Sequence, residues 1–402
     1  MNPVSPIFVV PTLLIGWAIC WLLQRFTVEP PNLGRFATID GLRGYLALFV
    51  FLHHSSIWYF FLRSGRWEVP PSNLYTQLGE AGVALFFMIT GFLFYTKLLD
   101  CRKVGMDWLR FFIGRLFRLL PLYLLALAGM LVIVMVLSQG VLHDTPLTLL
   151  KGIIRWLSFT TLGNPDLNGV IGTVQILAGV TWSLPYEWIF YLTLPILAMT
   201  VWNVPPTVVL AIGVVSLIGA LTWGPEMKYI MDFLGGIIAA LLVRNDRIKN
   251  LSTSPFASVV VVVLCLMEVE FFSTAYGFTQ VALLTGIFVL IAGGADLFGI
   301  LSNRVSRALG EMAYSIYLLH GLLLFITFRF VVGFEVARGL SVFEYWQVVT
   351  AVVPLLILTC FITYTWVERP VMEQAGPAAR RVRNSRTIVK RVKSYDSVTD
   401  DQ

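Results

Sequence analysis

The sequence predicts an all-α protein, a polytopic transmembrane helical bundle of about 11 spans. Three observations carry that expectation. The chain of 402 residues is 57% hydrophobic and only 13% charged, where a soluble domain carries roughly 25% charged residues. Its apolar residues recur in blocks from end to end, each near the ~20 residues that a helix needs to cross a bilayer. Its Lys and Arg residues gather in alternate connecting segments, the pattern of cytoplasmic loops.

The blocks run near 7–23, 45–62, 81–98, 119–138, 182–202, 206–222, 229–243, 255–272, 277–294, 312–332 and 346–366. The first has no positive leading region and no A-x-A cleavage site, so it reads as a retained anchor rather than a signal peptide. With the N-terminus outside, 22 of the 29 Lys and Arg fall on the cytoplasmic side, six fall outside, and Arg329 lies within a span. That asymmetry predicts N-out, C-in and an odd number of crossings. Three regions follow: an extra N-terminal anchor over 1–34, a membrane domain over 35–372, and a basic tail over 373–402. The tail is expected to be disordered, held near anionic lipid.

Other functional classes are disfavoured. Cys20, Cys101, Cys265 and Cys360 form no C-x-x-C pair, and the four histidines, His53, His54, His143 and His320, form no H-E-x-x-H. Neither a metal site nor a disulfide framework is expected. The net charge of +6 reports topology rather than nucleic-acid binding.

Candidate chemistry starts at Asp40-Gly-Leu-Arg43-Gly and continues to His53-His54. At 100° per residue, the eleven steps from Arg43 to His54 return within roughly 20° of the same helix face, about 16 Å further along. Arg43 then sits at the cytoplasmic mouth and His54 reaches mid-membrane, where an ionisable group is costly and marks function by default. Asp40, three residues before Arg43, is placed to orient its guanidinium. His53 turns 100° away. The bland alternative for His54 is a packed imidazole bonded to backbone. Arg115 and Arg118 share a helix face, and paired guanidiniums suit phosphate; ordinary positive-inside charge is the alternative. Trp182-Ser183-Leu-Pro-Tyr-Glu187 lies near the outer end of its span. Tyr317 and His320 belong to Tyr314-Ser-Ile-Tyr317-Leu-Leu-His320, which brings a second histidine to the depth of His54, either to line one cavity or to bond between helices. Glu187, Asp232, Glu268, Glu270 and Arg329 are candidate acceptor-binding groups of the outer half.

These motifs together resemble the membrane-bound acyltransferase-3 family. Asp40-Gly41-Leu42-Arg43-Gly44 with an arginine, ten residues and His54 is similar to its signature. Gly82, Phe86-Phe87 and Thr90-Gly91-Phe92 resemble its second motif, with threonine where serine is usual. Arg115 and Arg118 resemble its paired arginines, Trp182-Ser183-Leu184 with Glu187 its next block, and Tyr314 to His320 and Glu368-Arg-Pro370 its last two. The resemblance runs in order from about residue 35 to 372. It implies a ten-helix core, to which the first span is an addition.

The resemblance also implies a function. Acyl-coenzyme A, expected as acetyl-coenzyme A, is the co-substrate, with no permanently bound cofactor and no metal. Arg43, Arg115 and Arg118 hold its phosphates. His54 is the base or a transient acyl carrier, two roles the sequence does not separate. Glu187 acts with it, and Asp40, Trp182, Ser183, Tyr317 and His320 complete the pocket. The acceptor is a hydroxyl on an extracytoplasmic or lipid-linked saccharide, and the location is a bacterial inner membrane. Some relatives append an esterase-like domain; the short basic tail here implies direct delivery or a separate partner. The rival expectation from another class is an exporter of a glycan or lipid-linked substrate, in which intramembrane His and Arg are pathway residues.

Overall fold

The computed structural model of the chain describes residues 1–26, 36–201 and 227–384. Helices α1 (Val9–Leu23), α2 (Ala37–Ser64), α3 (Asn73–Asp100), α4 (Trp108–Leu137), α5 (Pro146–Leu157) and α6 (Ser183–Val201) make the first part. Helices α7 (Met227–Leu242), α8 (Asp246–Ser252), α9 (Pro255–Phe271), α10 (Phe278–Gly293), α11 (Arg304–Glu311), α12 (Ala313–Ile326), α13 (Phe334–Gly339), α14 (Val342–Thr363) and α15 (Arg369–Glu373) make the second. No β-strand occurs among the described residues.

Six helical stretches among the described residues are long and apolar enough to cross a bilayer: Pro6–Phe26, Ala37–Ser64, Asn73–Asp100, Trp108–Leu137, Ala313–Val331 and Val342–Asn384. The pair α8 and α9, bent by 76°, makes a seventh candidate. The expected spans near 182–202, 229–243 and 277–294 appear as the shorter helices α6, α7 and α10. The expected span at 206–222 lies outside the described residues. The chain is thus a multi-pass helical membrane protein. Within it α2 is central: 67% of its most apolar window is buried, against 22% for the N-terminal span.

The position of α2 depends on glycine. A Cβ on Gly41 would lie 1.9 Å from the Leu301 carbonyl oxygen, one on Gly44 2.5 Å from Leu309 Cβ, and one on Gly310 1.6 Å from the Asp40 carbonyl oxygen. The backbones of α2 and α11 are therefore in direct contact. Small residues permit this in membrane bundles, where close van der Waals packing replaces the hydrophobic effect as the force between helices. Two of the three glycines belong to the Asp40–Gly44 motif, and the contact sets the height of that motif against α11 and α12.

The route into α6 departs from expectation. Residues 173–182 form 3-10 turns rather than an α-helix, with left-handed backbone at Gly172, Ala178 and Gly179. This irregular segment is packed inside the bundle: Leu177 and Ala178 press on Gly321 of α12, where a Cβ would meet Leu177 carbonyl carbon at 2.4 Å. Backbone of this kind persists in a bundle only where protein partners satisfy its polar groups. Here the Ala178 amide bonds to the Gln175 carbonyl at 2.9 Å and the Gly179 amide to that of Val174 at 2.9 Å. Tyr317 and Thr160 hydroxyls donate to the Val180 and Thr181 carbonyls, both at 3.0 Å. The first turn of α6, with Glu187, therefore starts beside α12 instead of at an outer surface.

The C-terminal region also differs from expectation. The chain stays helical through Asn384, Ala379 is 3% exposed, and Arg383 Nη2 pairs with Asp107 Oδ2 at 2.6 Å. Asp107 also caps α4, accepting from the Arg110 amide at 3.1 Å. Those two donors hold its carboxyl below the usual carboxylate range, so it stays ionised and paired at neutral pH. The remaining tail, 385–402, lies outside the described residues.

Gly310→Ala should destabilise the detergent-solubilised protein by about 3 kcal/mol or more, since its Cβ meets backbone that cannot yield. Gly286→Ala, whose Cβ meets nothing within 4 Å, should leave the melting temperature unchanged. Thermal unfolding of the two variants side by side measures this.

Candidate active site

His54 and His320 meet directly. His54 Nδ1 lies 3.1 Å from His320 Nε2, and the ring centroids are 5.0 Å apart. Each ring is held by its own helix: His54 Nδ1 is 3.0 Å from the Val50 carbonyl and His320 Nδ1 is 3.0 Å from that of Ile316. A carbonyl oxygen only accepts, so Nδ1 carries the proton in both rings. His320 Nε2 is then an acceptor, and the His54 Nδ1–H donates to it and to Val50. That tautomer leaves His54 Nε2 with a lone pair and no hydrogen-bond partner among the described residues. His54 is thus bonded to backbone and also joined to His320 across two helices. Trp67, from the segment after α2, stacks near His54 at 6.5 Å and 24°.

His53 is a packing residue. It is buried, its Nδ1 lies 2.7 Å from the Tyr75 carbonyl, and its ring fills the space over Gly79, where a Cβ would approach within 2.4 Å.

One turn before His320, Tyr317 and Ser183 share a hydrogen bond of 2.9 Å. Both line a cavity of about 140 Å³ together with Arg43, Arg115, Arg118, Glu187 and Thr90. Phe86 lines it too, 6.0 Å from the Tyr317 ring, and Tyr317 stands 6.3 Å from His320. His54 does not line this cavity; the rings of Tyr317 and His320 lie between. Trp182 is also outside it, in an aromatic cluster with Tyr186, Tyr229 and Phe87.

The three arginines are held differently. Arg118 is anchored: it faces Glu368 at 3.5 Å and donates to the Glu311 carbonyl at 3.3 Å. Glu368 is fully buried and also accepts from the Ser315 hydroxyl. Its place follows from a π-helical turn over Tyr364–Glu368 at the end of α14, a local widening of the helix that often marks functional sites. Arg115 lies over the Phe94 ring at 4.9 Å. Arg43 has no hydrogen bond or ion pair among the described residues. Asp40, placed by spacing to orient the Arg43 fork, makes no hydrogen bond to it among the described residues; its carboxylate acts on Arg43 and Arg307 electrostatically.

Glu187, expected beside His54 and among the outer-half acceptor groups, lines the arginine cavity and accepts from the Tyr191 hydroxyl. Its charge acts on Arg43, and the titratable neighbours of His54 are His320 and His53. The re-entrant 173–182 segment is the cause, since it starts α6 within the bundle. Of the other outer-half candidates, Asp232 and Glu268 are buried with both oxygens lacking partners among the described residues. Glu270 and Arg329 are exposed.

The lining sets three guanidiniums against one carboxylate, so the cavity favours an anion. Glu368, Ser315 and Tyr191 were not singled out from sequence as site residues. Tyr191 is four residues after Glu187, a helical spacing that signals contact. Glu368 reaches Arg118 from 250 positions away, and no local spacing announces that.

Comparisons with known proteins agree with these motifs. Acyltransferase MdmB of Streptomyces mycarofaciens is 25% identical over 398 residues, covering 86% of this chain and 94% of that protein. The putative peptidoglycan O-acetyltransferase YrhL of Bacillus subtilis is 23% identical over 399 residues, covering 90% of this chain but only 58% of that protein. No solved structure matches. The acyltransferase domain family matches residues 36–365, from the start of α2 to the end of α14, and the chain belongs to that family of acyltransferases.

Proposed function

We propose that the protein moves an acetyl group from cytoplasmic acetyl-coenzyme A to a hydroxyl of an extracytoplasmic or lipid-linked saccharide. The observation that carries this reading is the His54–His320 pair, one helical turn beyond a cavity lined by three arginines. The relative named as a peptidoglycan O-acetyltransferase favours a saccharide acceptor and an acetyl group. Orientation rests on the Lys and Arg asymmetry, which puts the arginine cavity towards the cytoplasm in a bacterial inner membrane with the N-terminus outside.

Coenzyme A is a polyanion on a long thin arm. Arg43, Arg115 and Arg118 hold its phosphates, and the arm runs towards Tyr317. Movement of the Phe86 or Tyr317 side chain admits the thioester to His54. The acceptor oxygen attacks the thioester carbonyl carbon, and His54 Nε2 takes the hydroxyl proton as general base. His320 Nε2 accepts from the Nδ1–H throughout, so it fixes the tautomer and supports the imidazolium that forms. The tetrahedral intermediate collapses by breaking the C–S bond, and the departing thiolate recovers the proton from His54 Nε2. The products are the ester and free coenzyme A. Glu187, bonded to Tyr191, balances the arginine charge and keeps the cavity from holding its anionic product too tightly.

His54→Ala should lower acyl transfer by a factor of ~100 to 10,000 while leaving coenzyme A binding intact. His53→Ala should keep substantial activity. Acyl-coenzyme A consumption and acylated product, measured on purified protein, check this; equal losses in both variants would contradict the assignment.

For donor binding, Arg43→Ala and Arg115→Ala should each weaken coenzyme A by about tenfold to a hundredfold, the value of one charge-assisted hydrogen bond. Lysine should restore only part, lacking the planar fork. Arg118→Ala should also lower the melting temperature, because it leaves Glu368 buried and unpaired, a loss of about 3–5 kcal/mol. Calorimetry and thermal unfolding separate the two effects.

A further inference from the structure

A second hollow, of about 650 Å³, adjoins the arginine cavity and shares Phe94 and Arg115 with it. Its walls come from the end of α3, the start of α4 and the helical segment that follows α15. Four cations line it: Lys97, Arg110, Arg115 and Arg380. Its two acids are Asp107 and Glu373, and each is bonded by an arginine outside the wall: Asp107 by Arg383 at 2.6 Å and Glu373 by Arg369 at 3.1 Å. Asp107 acts on Arg110 as well, and Glu187 on Arg115, while Lys97 and Arg380 form no ion pair among the described residues. Lys97 is also crowded electrostatically by Arg115 and Arg110. Like charges gathered at one hollow are relieved by binding an anion, and guanidiniums present planar forks that match phosphate.

We infer that this vestibule binds the adenosine 3′-phosphate end of the acyl-coenzyme A donor, through Lys97, Arg110 and Arg380, and makes the enzyme selective for the 3′-phosphate. The inference rests on the proposed acyl-coenzyme A donor and adds a second subsite to it. Size divides the work. The inner cavity of about 140 Å³ suits the diphosphate and the narrow arm. The vestibule has room for a nucleoside, with Phe94, Phe111, Met106 and Pro377 as apolar wall. Arg115 stands at the junction and belongs to both.

The C-terminal helix thereby becomes part of the binding site. It carries Arg380 into the vestibule wall, and Gly376 lies against Arg110, where a Cβ would stand 4.0 Å from Nη2. The Arg383–Asp107 pair ties that helix to the start of α4, which carries Arg110, Arg115 and Arg118. An anionic lipid headgroup offers the same phosphate chemistry, and the test must tell it from the nucleotide.

The decisive quantity is the ratio of affinities for coenzyme A and dephospho-coenzyme A, which differ only in the 3′-phosphate. Calorimetry uses the full chain in an uncharged detergent. Wild type should prefer coenzyme A by about tenfold or more, the worth of one or two charge-assisted contacts. Lys97→Ala, Arg380→Ala and the charge reversal Arg380→Glu should bring the ratio towards one. These side chains are exposed, so the fold tolerates their loss. Arg43→Ala should weaken both ligands and keep the ratio. Adenosine 3′,5′-bisphosphate should compete with coenzyme A in wild type and fail to do so in Arg380→Glu. A wild type that binds no coenzyme A would remove the donor reading itself. Coenzyme A binding with an unchanged ratio in the three variants would overturn the vestibule subsite alone. Displacement of the bisphosphate by phosphatidylglycerol micelles, with the ratio unchanged in the variants, would make the vestibule a lipid site and overturn the inference equally.

Discussion

The arrangement depends on backbone contact between α2 and α11. Gly44 and Gly310 let the two helices touch, and Gly41 admits the Leu301 carbonyl just before α11. That contact fixes the height of α2 against α12, and everything functional on α2 is measured from it. Arg43 comes to the level of the cavity, and His54 comes within hydrogen-bond distance of His320. A displacement of one residue would turn His54 by 100°, the direction in which His53 already points, into the packed space over Gly79. The glycines of the Asp40–Gly44 motif are thus spacers, and the arginine between them lines the cavity.

The electrostatics follow from that geometry. A bundle interior makes isolated charge expensive, yet this one holds three arginines around one small cavity. Glu368 offsets Arg118 from behind, where it cannot occupy the cavity, and Glu187 offsets part of the rest from within the wall. The surplus is positive and directed inward. The π-helical turn at Tyr364–Glu368 and the re-entrant 173–182 segment are the two irregular stretches that deliver those carboxylates, so the departures from regular helix coincide with the charge balance of the site.

The regular parts of this were legible in the sequence. Apolar blocks of bilayer length mark the long helices, and helical spacing alone puts Arg43 and His54 on one face and His53 on another. The meeting of two histidines follows from equal depth on separate spans. What was not legible came from irregular backbone and distant pairing. Residues 173–182 carry an apolar sequence that turns back into the bundle, so the position of Glu187 could not be counted from a span boundary. The partnership of Arg118 with Glu368 joins opposite ends of the domain. The helix through Asn384 reads as a basic tail because its buried side, around Ala379, offers too few apolar residues to announce packing.

The central claim is that one face of the membrane supplies the donor and the other the acceptor to a single histidine pair. Vesicles carrying the protein in one orientation test it most directly, with orientation scored by labelling Cys101, which lines the vestibule. Acetyl-coenzyme A would be added to one side and a saccharide acceptor enclosed on the other. Acetylated saccharide and free coenzyme A thiol should appear only when the donor is on the Cys101 side. Product formed with the donor confined to the opposite side would contradict the account.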